Sequence, residues 1–117
     1  MTSTKIMYLV LRADLSSELK WPLGAVFTQI AHAASACIWT FREDRDVIDY
    51  MTDMEHMSKV TLKVENEEQL LAESKNLTTA SIDHKVWYED GMAVCIAVKP
   101  QARDLLRLHL KHLPLYK

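Results

Sequence analysis

With 117 residues, a formal net charge of −2 and 49% hydrophobic residues, the sequence has the composition of a soluble globular domain. This length predicts a single domain, residues 1–117, whose core is large enough to fold without a metal or a disulfide. The small net charge excludes a general attraction to polyanions, although a local basic stripe can still bind one.

The sequence carries no sign of export. Its N-terminal apolar run, residues 6–11, is too short for a signal peptide, and no window approaches the roughly 20 apolar residues that span a bilayer. We therefore expect a cytoplasmic or nuclear protein without membrane partners, whose Cys37 and Cys95 remain reduced as small buried hydrophobic residues. The histidines at 56, 109 and 112 are scattered and there is no glycine-rich phosphate loop, so the sequence predicts neither a metal nor a cofactor.

Hydrophobic periodicity predicts the element order β-α-(α)-β-α-β-β-α. Helices between strands imply right-handed parallel crossovers, while the turn signal "EDG" adds one antiparallel strand to the sheet. The expected fold is an α/β three-layer α/β/α sandwich around a mixed sheet. The predicted elements are a strand at 5–11, a loop at 16–22, a helix ending near 41, a short helix within 42–58, a strand at 59–64, a helix at 65–77, a strand at 79–83 that extends at most to 88, a strand at 92–98 and a helix at 101–113.

The long helix carries an unusual polar pair in "GAVFTQIAHAA". Gln29 and His32 share one stripe with Ala25, offset from the row at 23, 26, 27, 30, 34 and 37 that we predict to face the core. The stripe follows the first strand, close to the zone where open α/β sheets bind ligands. Pattern alone leaves two interpretations open: the pair anchors backbone carbonyls, or it belongs to a site.

Charged and aromatic residues near strand ends supply further candidates. Arg12 and Asp14 flank the end of the first strand, where they form an ion pair or orient a neighbouring polar group. Asp83 lies at the end of a predicted strand and can act as a base or orient a water. Of Trp87 and Tyr88, we expect one to pack the hairpin; the other is open between packing and stacking on a base.

The last helix carries a basic stripe, because Arg103, Arg107 and Lys111 recur every four residues. Such a row is usually a solvated face. Evenly spaced cations can also follow a nucleic-acid backbone, and this second interpretation predicts phosphate contacts.

Together, "YLVLRADL", "GAVFTQIAHAA", "KVTLKVENEEQLL", "IDH" and "AVCIAVKP" resemble the archaeal and eukaryotic type of peptidyl-tRNA hydrolase over nearly the whole chain. The likeness is greatest to the small "peptidyl-tRNA hydrolase domain-containing" subgroup. It implies a four-stranded mixed sheet in three layers and hydrolysis of the ester between a peptide and its tRNA. The partner would be peptidyl-tRNA or tRNA. The family also permits a homodimer. The apolar residues of the short second helix are equally compatible with a dimer interface and with core packing.

The resemblance also implies roles for individual residues. Asp83 matches the family's active-site aspartate and would orient the attacking water, while His32 and Gln29 would position that water or the terminal adenosine. The matching first motif and the basic residues supply the candidates for substrate binding. These are Arg12, Asp14, Lys20, Lys85, Arg103, Arg107 and Lys111.

The sequence departs from the family at two central positions. The family's essential lysine falls at Ala25 and its threonine at Val94, and neither side chain stabilises an oxyanion. Loss of an oxyanion donor typically costs about 10²–10³ in rate, so slow hydrolysis is compatible with these changes, with Lys20 or Lys85 as a replacement amine. The alternatives are a catalytically degenerate tRNA- or protein-binding module and hydrolysis of another ester or amide in the same place.

Overall fold

The computed structural model describes residues 4–117, so the first three residues of the predicted domain lie outside it. The described elements follow the predicted order, with three short additions: a four-residue helix, a 3₁₀ turn and a two-residue strand. The elements are β1 Lys5–Arg12, α1 Asp14–Ser17, α2 Leu23–Thr40, α3 Arg45–Thr52, a 3₁₀ turn Met54–His56, β2 Lys59–Val64, α4 Glu67–Thr79, β3 His84–Glu89, β4 Met92–Val98, β5 Gln101–Ala102 and α5 Arg103–Leu110.

The main strands form a mixed sheet in the order β2-β1-β4-β3. β1 and β2 are parallel, from Met7↔Lys59 to Arg12↔Val64. β4 is antiparallel to both of its neighbours, so the prediction of one antiparallel strand is confirmed. The short β5 pairs with the start of β1.

Helices cover both faces of this sheet, which confirms the three-layer sandwich. Alternate side chains of β1 point to opposite faces, as the period of a strand requires. Met7, Leu9 and Leu11 pack with residues of α2 and α3. The intervening side chains of β1 pack with α4 and α5 in a second cluster. None of the described helices combines the length and apolarity needed to cross a membrane.

The two edges of the sheet differ. The C-terminal tail runs beside β2, where the Lys63 N–H donates to the Pro114 carbonyl at 2.9 Å and the Tyr116 N–H to the Thr61 carbonyl at 3.0 Å. β3 pairs with β4 alone among the described strands and forms the opposite edge. The Asp90-Gly91 turn that joins β3 to β4 has positive φ at both positions, 52° and 77°, as a two-residue hairpin turn requires.

The prediction of a strand at 79–83 is wrong. α4 continues to Thr79, and the chain then leaves it through a Schellman-type turn. Ser81 takes a left-handed φ of 59°, the Ser81 N–H donates to the Thr78 carbonyl, and the Ile82 N–H donates to the Leu77 carbonyl at 2.8 Å. The strand therefore begins only at His84, and Asp83 is the residue that immediately precedes it.

The predicted core row of α2 is also partly wrong. Leu23 and Phe27 are 62% and 58% exposed, and they border an apolar cavity of about 190 Å³. The buried stripe consists instead of Val26, Gln29, Ala33 and Cys37. Relative to the prediction, α2 is rotated about its axis. The rotation buries the Gln29 amide, whose hydrogen-bond partner on β3 the sequence pattern does not reveal.

Candidate functional site

The surface between α2 and the edge strand β3 contains four of the predicted site residues: Gln29, His32, Asp83 and Lys85. Strand alternation puts Asp83, Lys85 and Trp87 on the face of the sheet that α2 covers. Trp87 packs against the α2-side core, whereas its neighbour Tyr88 is 56% exposed. We call this region the α2–β3 surface; it contains two separate groups of polar side chains.

The first group is centred on the Trp87 indole. Its Nε1–H donates to Gln29 Oε1 at 3.1 Å and to Glu89 Oε1 at 3.2 Å. His32 stacks on Trp87 with ring centroids 4.7 Å apart and an angle of 17° between the planes. The Gln29 amide is also engaged at its other end, because Nε2 donates to the Ala25 carbonyl at 3.0 Å. Gln29 is therefore a buried support for Trp87, while His32 is exposed.

The second group surrounds Asp83 at the start of β3. The Asp83 carbonyl accepts a hydrogen bond from the Lys99 N–H at 3.0 Å, and its Oδ2 lies 3.4 Å from Lys99 Nζ. The same ammonium donates to Asp44 Oδ2 at 2.9 Å. The side chain of Lys99 is only 10% exposed, whereas that of Asp83 is 56% exposed. A buried cation thus holds one side of an accessible carboxylate.

Charge pairing sets the protonation states in this second group. Burial by itself lowers the pKa of Lys99, but the hydrogen bond and charge of Asp44, with a smaller contribution from Asp83, raise it above its ordinary value. The hydrogen bond from Lys99 in turn lowers the pKa of Asp44. Near neutral pH Lys99 is an ammonium and Asp44 a carboxylate.

The two groups lie at opposite ends of the α2–β3 surface. Trp87 is four residues beyond Asp83, a distance of about 13 Å along a strand. On α2, His32 contacts Trp87. The ring centroid of Phe41, at the C-terminal end of the helix, lies 6.0 Å from Lys99 Nζ. Phe41 is nine positions beyond His32, again about 13 Å along a helix. The structure therefore joins Gln29 with His32 and separates both from Asp83.

Arg12 and Asp14 form a buried ion pair. The guanidinium donates from Nε and Nη2 to the two carboxylate oxygens at 2.8 and 2.9 Å, and from Nη1 to the Ala93 carbonyl at 2.9 Å. The hydrogen bond from Arg12 to Asp14 raises the pKa of Arg12 against the opposing effect of burial. Arg12 is 4% exposed. Its hydrogen bond to the Ala93 carbonyl links β1 to β4.

The two lysines considered as replacement amines are differently placed. Lys20 is exposed in the segment before α2, at a left-handed φ of 58°. Lys85 is half-buried on β3, opposite Ala97 and two residues from Asp83. Lys85 therefore lies on the α2–β3 surface between its two polar groups.

The basic stripe of α5 lies on the other side of the sheet. Arg103, Arg107 and Lys111 border a groove of about 250 Å³ together with apolar residues of β1, β2 and the C-terminal tail. Leu106 and Leu110 of α5 belong to the core cluster on the α4 side. The stripe and the α2–β3 surface consequently face different directions.

Ala25 and Val94, the positions where the resemblance puts the family's lysine and threonine, carry no polar side chain. Ala25 is half-buried in the first turns of α2, and its carbonyl accepts the hydrogen bond from Gln29 Nε2. Val94 is fully buried in the α2-side core. It is also the extra residue of a β-bulge, because Tyr88 pairs with Ala93 and Trp87 with Cys95.

Sequence reasoning missed Lys99, Asp44 and the link from Gln29 to Trp87. The available signal for Lys99 was a single charge that ends an apolar strand and precedes Pro100. Among the described residues, no group of three or more histidine, cysteine, aspartate or glutamate side chains could hold a metal ion. Burial raises the pKa of both free thiols, Cys37 and Cys95, to about 12, so neither is a nucleophile at neutral pH.

Comparison with known proteins adds an independent finding. The family model described as peptidyl-tRNA hydrolase PTH2 matches residues 5–116. The chain is 36% identical over 115 residues to the human protein named "Putative peptidyl-tRNA hydrolase PTRHD1", covering 96% of this chain and 82% of the human protein. The mouse protein of the same name is 35% identical over the same lengths. These similarities extend over nearly all of the described residues.

Proposed function

This chain belongs to the peptidyl-tRNA hydrolase PTH2 family, and from that membership we propose that it cleaves the ester between a peptide and its tRNA. The family match over residues 5–116 is the observation that carries the proposal. Free buried thiols fit a reducing compartment, and the proposed place of action is the cytoplasm.

Asp83 is the proposed group that orients the attacking water. Its carboxylate is more than half exposed, and its backbone is held at the start of β3 by the hydrogen bond from Lys99. Oδ2 faces Lys99, while the structure gives Oδ1 no partner among residues 4–117. One carboxylate oxygen is thus available for a water.

The proposed reaction needs no further reactant. Water forms a bond from its oxygen to the ester carbonyl carbon as its proton passes to Asp83. The bond from that carbon to the ribose oxygen then breaks, and the leaving oxygen takes the proton from Asp83. The products are a peptide carboxylic acid and a tRNA with a free terminal hydroxyl.

The Trp87 group suits the terminal adenosine better than it suits this water. A distance of about 13 Å along β3 is too long for Asp83 and His32 to share one water. His32 presents a ring supported by Trp87, and nucleobases bind such rings by stacking. We assign adenosine contact to His32, and the positioning of Trp87 to Gln29. Lys85, between the two groups, is the proposed phosphate contact.

A non-catalytic binding module is the second candidate. The observation that favours it is the pair of changed positions, Ala25 and Val94, since a methyl group and a buried valine give an oxyanion no hydrogen bond. In this alternative the fold would hold tRNA or a protein without cleaving an ester. A homodimer stays a prediction from the sequence.

The test is single-turnover release of a labelled peptide from peptidyl-tRNA at high protein concentration. We expect Asp83→Asn to lower the rate by at least about 10²-fold, the typical contribution of a general base. Asp90→Asn is the matched control, because it makes the same change just beyond the other end of β3, at a φ of 52° that asparagine tolerates. Wild-type binding of tRNA without any release would replace this proposal with the binding module.

A further inference from the structure

The ammonium of Lys99 is unusual for its place in the fold. Lys99 follows the last residue of β4, where the side chains from Ala93 to Val98 are all buried and apolar. A charged group here loses water contacts, which is unfavourable unless carboxylates compensate. Asp44 and Asp83 provide that compensation from two different elements.

The two bonds of Lys99 are not equivalent. The bond to Asp44, at 2.9 Å, has the usual length of a charge-assisted hydrogen bond. The contact with Asp83 is longer, at 3.4 Å, and its carboxylate remains open to solvent. Asp44 is itself fixed as the N-cap of α3, where it accepts the Asp46 N–H at 2.9 Å. Asp44 thereby holds the ammonium in place, and the ammonium faces Asp83.

We propose that Lys99 is a positioning residue of the hydrolase, the fixed cation that orients the Asp83 carboxylate toward the attacking water. This inference rests on the proposed function. Residue 25 at the start of α2 is alanine, and Lys99 is the cation whose ammonium the structure places beside Asp83, among the described residues. By occupying Oδ2, Lys99 directs Oδ1 to the water.

The experiment compares Lys99→Met with wild-type protein in kcat and KM for peptidyl-tRNA. Methionine preserves much of the aliphatic stem but carries no charge. We expect kcat to fall about 10²-fold, the usual effect of misplacing a reacting group by about 1 Å, with KM unchanged. Lys99→Arg, which restores a cation, should recover part of the loss. If Lys99→Met fails to fold, Lys99→Gln retains a donor for Asp44 and should lose rate similarly.

Two controls separate positioning from simple structural support. Lys5→Met makes the same change at the Lys5–Asp46 pair, which joins β1 to the same helix α3 away from Asp83, so its kcat should stay within a few-fold of wild type. In an Asp83→Asn background, Lys99→Met should cause no further loss, because residues that act through one another are not additive. Thermal unfolding of each variant identifies losses that come from instability.

The outcomes distinguish this inference from the proposed function. Release by Lys99→Met at the wild-type rate overturns the role of Lys99 and leaves the hydrolase proposal intact. An equal loss in Lys5→Met, or additive losses with Asp83→Asn, also overturns it and assigns Lys99 to structural support. Absence of release by wild-type protein overturns the proposed function, and this role of Lys99 with it.

Discussion

At the scale of single residues, Lys99 joins two carboxylates, Asp44 and Asp83, in one charged cluster. Asp44 links this cluster to α3 both as helix cap and as the shorter partner of the ammonium. Its pKa in the folded protein is lowered, chiefly by the hydrogen bond from Lys99. This pair should therefore contribute to stability in a way that depends on pH.

The sign of that dependence follows from the lowered pKa. An unfolded aspartate titrates near about 3.9, so the stabilisation from Asp44 is present above that pH and is lost as the pH falls through the lower folded value. In urea unfolding, we expect wild-type protein to exceed Asp44→Asn in midpoint at pH 7 and the gap to close below about pH 4. A gap that persists unchanged at pH 3 would contradict this assignment.

At the scale of elements, Arg12 and Asp14 join β1 to its surroundings. The guanidinium connects the end of β1 to Ala93 on β4, and Asp14 begins the short helix α1. Removing one partner of a buried pair leaves the other charge without compensation. The pair therefore contributes to the stability of the layer beneath α2, and its contact with substrate stays a prediction from the sequence.

We accordingly expect Asp14→Asn to lower the free energy of unfolding by about 3 kcal/mol, as measured by chemical denaturation. The control is Asp49→Asn, which breaks the Arg45–Asp49 pair on α3, whose side chains are 84% and 45% exposed. That exposed pair should contribute less than about 0.5 kcal/mol. Equal effects of the two variants would mean that burial does not govern the Arg12 pair.

The β3–β4 hairpin shows how one element can decide a site. Continuing the pairing Glu89↔Met92 without interruption would place Asp83 opposite Val98. The bulge between Trp87 and Tyr88 shifts the register by one residue, so His84 pairs with Val98 and Asp83 lies opposite Lys99. Without that shift, the ammonium would point to the other face of the sheet.

At the scale of the whole molecule, the cations of α5 and the α2–β3 surface lie on opposite sides of the sheet. A small ligand could not contact both. In the proposed function, a tRNA is large enough to place its ester at Asp83 while its backbone extends to the other side of the sheet. Phosphate contacts by α5 would then affect affinity but not the chemical step.

This arrangement predicts separate effects on binding and on rate. The double variant Arg103→Glu/Arg107→Glu should weaken tRNA binding and reduce its salt dependence, because fewer counterions are released. Peptide release at saturating protein concentration should be unchanged. The control, Arg45→Glu/Lys75→Glu, makes the same change in net charge at other exposed positions. If both double variants bind tRNA equally, the α5 stripe is a solvated face.

Much of the architecture follows from local patterns in the sequence. The element order, the single antiparallel strand and the three layers are predicted by buried β-branched runs, an amphipathic helix and the "EDG" turn, since these patterns reflect periods of 2 and 3.6 residues. The same patterns place Gln29 and His32 on one side of α2 and mark Asp83 near a strand. Membership of the PTH2 family is likewise carried by the sequence.

Only the tertiary structure decided how these side chains are grouped. The burial of Gln29 depends on the indole of Trp87, which lies 58 residues away, and the pairing of Lys99 with Asp83 depends on one extra residue in a bulge. Residues 79–83 form the end of α4 and a turn instead of the predicted strand, because Ser81 turns the chain and Ile82 then packs into the core. Sequence periodicity reports which side of an element is apolar, whereas partners across the sheet are set by register and helix rotation, which only the packed layers determine.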